Sequence, residues 1–130
     1  MNYTLANAAV EAHCDNVHGH PVTLEHDNDG SHIFNFNVEE ETAIEEGATK
    51  PTKIGYKYRT VRIFDEPTKK NIKKAIIRAT LTESEEFALV NAYNSFNLGI
   101  NDDESAVERY EAYLHFLNDL DAMLNNLNLD

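Results

Sequence analysis

The run Tyr56–Asn97 (YKYRTVRIFDEPTKKNIKKAIIRATLTESEEFALVNAYNSFN) limits the fold more than any other part of the chain, because it passes from strand patterning to helix patterning between clear start and stop signals. Residues 54–64 are rich in aromatic and β-branched types, which suit a pleated surface, and predict a strand. Strand alternation puts Tyr56, Tyr58, Thr60, Arg62 and Phe64 on one face and Lys57, Arg59, Val61 and Ile63 on the other. Asp65-Glu66-Pro67 then predicts a helix start with Pro at the first helical position, where its missing N–H has no partner to lose. Ile72, Ala75, Ile76 and Ala79 recur at i, i+3, i+4 and i+7 and form a stripe to be buried, while Lys69, Lys70, Lys73, Lys74 and Arg78 line the rest. Thr82 and Glu85 have the spacing of a capping box and open a second helix, which carries Phe87, Leu89, Val90, Tyr93 and Phe96 and stops at Gly99.

The flanking segments complete an α+β reading. Residues 3–12 suit either strand or helix, with strand favoured. Residues 14–21 (CDNVHGHP) read as a loop. Val22–His26 and Ser31–Glu39 flank Asp-Asn-Asp-Gly, a turn that tolerates positive φ, and so predict a β-hairpin. In its second strand Phe34, Phe36 and Val38 share the face expected to receive the Ile72/Ile76 stripe, and Asn35 and Asn37 turn away. Residues 40–53 lack apolar periodicity, contain Gly47 and Pro51, and read as a mobile surface loop. Asn101–Glu104 cap a third helix reaching about Asn126. The expectation is one domain over residues 1–130. Residues 1–64 are mainly β, a small antiparallel sheet, and residues 65–130 form three α-helices.

Charge is divided along the chain. Residues 1–49 carry −10, residues 50–78 carry +8 and residues 79–130 carry −10, within a net charge of −12. Acidic segments on both sides can fold back on the basic centre, and a negative overall field disfavours a phosphate backbone. Cys14 is the only cysteine, so no internal disulfide is possible, which suits a reducing compartment. Neither a signal-peptide pattern nor an apolar run of membrane-spanning length is present. Together these point to the cytoplasm and to no membrane partner.

Three groups of residues are candidates for function. Tyr56, Tyr58, Arg59, Arg62, Lys69, Lys70, Lys73 and Lys74 mix aromatic and basic types, as phosphate contact with base stacking would require, and form a possible interaction face. Tyr113, Leu117, Leu120, Leu124 and Leu127 are spaced 4, 3, 4, 3 and form either an ordinary packing stripe or a homodimer seam. His13, His18, His20, His26 and His32 cluster with Cys14 and nearby aspartates, all ligand types for transition metals, yet their spacing matches no zinc pattern. No metal, cofactor or catalytic residue is assigned. The sequence carries no nucleophile elbow, Gly-rich phosphate loop or dinucleotide fingerprint.

The segment Glu66-Pro67-Thr68, Ala75-Ile76-Ile77-Arg78, Thr82, Glu85-Glu86 and Tyr93-Asn94 resembles small proteins encoded by phages and prophages of gut Bacteroides-type bacteria. The resemblance covers about a third of the chain and implies a mobile-element origin with an accessory or assembly role. It carries no functional residues. The expectation is therefore a non-enzymatic protein that binds another protein or itself. A nucleic-acid or anionic-ligand binder using residues 50–78, and an acidic DNA mimic, are the alternatives.

Overall fold

The computed structural model describes residues 3–127. A short 3-10 turn, Leu5–Asn7, leads into four strands: β1 (Val10–Asp15), β2 (Leu24–His26), β3 (His32–Ala43) and β4 (Thr52–Ile63). Three helices follow: α1 (Lys69–Thr80), α2 (Glu83–Asn97) and α3 (Ser105–Asn125). The sheet is antiparallel in the order β1-β4-β3-β2, so the first strand sits outside the last. This is the α+β arrangement expected, with the helices after the sheet.

One face of the sheet is covered by helices. Phe34, Phe36, Val61 and Ile63 meet Ile72 and Ile76 of α1 and Phe116, Leu120 and Leu124 of α3, with Ala8 sealing the edge. Leu81, Leu89 and Tyr113 form a smaller cluster where α2 joins. The α1 stripe is narrower than its period implies: Ile72 and Ile76 are fully buried, Ala75 is half-buried and Ala79 is exposed.

The expected 40–53 loop is mostly strand. β3 continues to Ala43 and β4 begins at Thr52, so only residues 44–51 connect them. Here the ladder brings opposite charges face to face across the strands. Glu39 faces Lys57, and the Glu40 carboxylate lies 3.7 Å from Lys53. Opposite charges stabilise such pairs without apolar alternation, which is why periodicity missed them. A second correction concerns Val38. The register slips between Phe36 and Glu39, and Asn37 takes φ 52°. This bulge removes Val38 from the expected face, and it is half-buried outside the core.

Four boundaries move as well. The expected 3–12 strand is a 3-10 turn followed by β1, with Ala9 at φ 55° between them. Cys14 and Asp15, expected in a loop, are the end of β1, and the expected 22–26 strand is regular only over Leu24–His26, with the Thr23 carbonyl still accepting from the Asn35 N–H at 2.9 Å. Thr68, not Glu66, caps α1. Its hydroxyl accepts from the Asn71 N–H at 3.2 Å, which leaves Pro67 just outside the helix. The Thr82–Glu85 capping box forms in both directions, as its spacing predicts.

Candidate functional site

Strand lengths create the main surface feature. β1 has six residues and β4 has twelve, and their pairing runs only from Asp15–Gly55 to Val10–Thr60. Beyond Thr60, β4 stays paired to β3 through Ile63. On the other side no strand pairs with residues 61–63 among the described residues. The chain leaves that edge at Ala9, whose N–H donates to Thr80 Oγ1 at 3.1 Å. Arg59 holds the same corner, its Nε donating to the Ala8 carbonyl at 2.6 Å and its Nη2 to that of Ala9 at 3.1 Å.

The open edge and the flank of α1 enclose a groove of about 680 Å³. Its lining includes Val10, Val61, Ile63, Phe64, Ala75 and Ala79. Ala75 and Ala79 are small, which leaves the space between helix and edge unfilled. Phe64 is 77 % exposed and Val10 59 % exposed, one at each end. Arg62, Lys74, Arg78 and Asp65 supply the charge of the lining.

A polar network fixes the helical wall. Arg78 Nη2 and the Tyr113 hydroxyl both donate to the Glu86 carboxylate, one to each oxygen, and so tie α1, α2 and α3 together. Burial pushes the Glu86 carboxyl up, but these two hydrogen bonds outweigh it and hold the group below its usual range. Burial, with the adjoining carboxylate, raises the Tyr113 phenol strongly.

The expected interaction face is not one surface. Arg59 lies on the helix-covered side of the sheet, whereas Tyr56, Tyr58 and Arg62 lie on the other. Tyr56 is buried, its ring edge-on to His20 at 5.2 Å. Arg62 bonds Asp27 and Ser31 at 3.0 and 2.6 Å. Strand alternation divides these residues whatever their composition. Of the helix lysines, Lys73 reaches Asp121 at 2.7 Å, while Lys69, Lys70 and Lys74 have no carboxylate within ion-pair distance among the described residues. Six of the ten basic residues between 50 and 78 face carboxylates: Lys53, Lys57, Arg59, Arg62, Lys73 and Arg78.

The expected seam on α3 faces inward. Tyr113, Leu120 and Leu124 are buried in the domain's own core, and Leu117 and Leu127 pack partly against it. A sheet face and two other helices pack against that stripe.

The histidines are dispersed. His13 lies between two carboxylates, with Nδ1 at 2.5 Å from Glu41 and Nε2 at 3.1 Å from Glu11. The hydrogen bond to Glu41, then that to Glu11, raises its pKa. His18 pairs with Asp15 at 2.7 Å, and His26 meets His32, Nδ1 to Nδ1, at 2.6 Å. Among the described residues no three His, Cys, Asp or Glu side chains converge on one point as a bound metal requires. No described helix is long and apolar enough to cross a membrane.

Sequence reasoning did not find the groove. Its only advance sign was Phe64, a large apolar residue at a strand end on a face otherwise polar or aromatic. No protein-family model, curated protein or solved structure matches the chain.

Proposed function

We propose that this protein is a non-enzymatic interaction module that binds another protein through the β4–α1 groove. An accessory or assembly role of the phage type, which the central segment resembles, fits this reading. The observation that carries it is the exposure of Phe64 and Val10 at the two ends of an apolar groove. Water leaves such surface favourably, and an exposed aromatic residue beside a small-residue recess offers a protein partner both an anchor and a pocket. The groove is an open cleft and not an enclosed cavity, which suits a polypeptide better than an enclosed small ligand.

The test is panning of a displayed random-peptide library against the intact protein, with the exposed-site variant Ala79→Trp as a parallel target. The tryptophan fills the recess at an exposed helix position, so circular dichroism should be unchanged. Enriched peptides should bind the natural protein and lose binding to Ala79→Trp. Absence of enrichment, or equal binding to both, would refute the groove as the partner site.

A further inference from the structure

We infer that the groove takes an extended, acidic segment of the partner protein as a fifth strand along the open edge of β4. This rests on the interaction reading above and specifies its partner. Two independent observations carry it.

The first is backbone geometry. Residues 61–63 are held in strand conformation by β3 alone, so the backbone groups that point away from β3 have no ladder partner among the described residues. Such an edge is a template for another extended chain. Natural sheets usually blunt this hazard with short edges, charge, proline or a covering loop. This edge is three residues long with Arg62 at its centre, but no loop covers it among the described residues, and it borders a recess because Ala75 and Ala79 stand opposite it. The Ala9–Thr80 bond closes the recess at one end. The other end opens past Phe64 and Asp65, giving an incoming strand a stop and an entrance.

The second is charge. α1 has no acidic residue, and Lys70, Lys74 and Arg78 repeat every four residues along one ridge. Lys74 and Arg78 line the groove directly. Arg78 is paired with Glu86 and Arg62 with Asp27, which leaves Lys74 as the lining cation with no ion-pair partner among the described residues, with Lys70 one turn away. Asp65 is the sole acid in the lining, at the entrance. On a chain of net charge −12 this ridge is a local exception, and it favours a partner strand bearing carboxylates on the side toward α1. A second copy docking edge to edge would bring the two cationic ridges together, so the favoured occupant is a different chain.

The test uses the full chain and an end-blocked eight-residue peptide alternating valine and glutamate. Controls are the same peptide with lysine for glutamate and a twelve-nucleotide single-stranded DNA. Binding is followed by fluorescence anisotropy, and its location by amide NMR shifts and hydrogen exchange. The expected result is binding of the glutamate peptide and not the lysine peptide, with slowed exchange of edge amides between residues 61 and 64. Lys74→Glu should weaken binding about fivefold, the scale of one exposed charge contact. Equal binding of the lysine peptide, binding without protection of the edge amides, or tighter binding of the DNA at the same residues would overturn the inference. If the glutamate peptide fails while panned peptides still occupy the groove, the acidic-strand inference falls and the interaction reading stands. If no peptide depends on the groove, both fall.

Discussion

Replacing Ile76 with alanine tests the central packing argument. Ile76 is fully buried between the sheet face bearing Phe34, Phe36, Val61 and Ile63 and the Phe116 side of α3. The substitution removes three carbons, worth about 2.4 kcal/mol at roughly 0.8 kcal/mol for each buried methylene. The walls come from a sheet and two helices, so they close only partly on the space. A remaining void of roughly 50 Å³ adds about 1 kcal/mol. The expected loss is therefore about 3.5 kcal/mol, within the usual range of about 2–5 for such truncations. Urea unfolding followed by circular dichroism reads it as a lower midpoint at unchanged slope. The exposed Ala79→Ser, one turn along the same helix, should stay within about 0.5 kcal/mol. If Ile76→Ala also falls below about 0.5 kcal/mol, α1 does not present this face to the sheet and the groove geometry fails with it.

Four other outcomes are expected. Tyr113→Phe removes one of the two donors that hold the Glu86 carboxyl low. It should cost about 1–3 kcal/mol and raise the Glu86 pKa in a carbon-13 NMR titration, and an unmoved pKa would refute the network. Because the folded pKa of Glu86 lies below its unfolded value, this stabilisation is present above the unfolded pKa and is lost as pH falls through the folded one. His13 is the opposite case: its folded pKa is raised, so its contribution is full below the unfolded value and is lost as pH rises through the folded one. The stability difference between the natural protein and His13→Ala should therefore shrink on raising the pH, and a pH-independent difference would refute the carboxylate contacts. At Gly55 an added Cβ would lie well inside contact distance of the Cys14 carbonyl oxygen, so Gly55→Ala should lose about 1–3 kcal/mol, the cost of overpacking, read as a lower urea midpoint.

Local features of this chain were legible because they depend on neighbours in sequence. The Thr82–Glu85 capping box, the Asp-Gly turn before β3 and the Ile72/Ile76 spacing each act within a few residues, and each forms as written. The order of sheet then helices follows from the same signals. Where the reading fell short, the deciding partner lay far along the chain. Glu39–Ala43 become strand residues by pairing with Thr52–Lys57 of β4, and nothing in residues 40–53 alone displays that. Alternation along β4 already separates Tyr58 from Arg59, but only the packed sheet shows that the Arg59 side is the one the helices cover. The α3 stripe has the same spacing whether it meets a second copy or its own core, and only the arrival of the sheet and α1 made it internal. The groove is wholly tertiary. It exists because β1 stops at Val10 while β4 continues, and because two alanines of α1 come to stand opposite the edge left open. Spacing within a segment determines which residues share a face. Which face is covered, and by what, is decided only when distant segments compete for the same apolar surface.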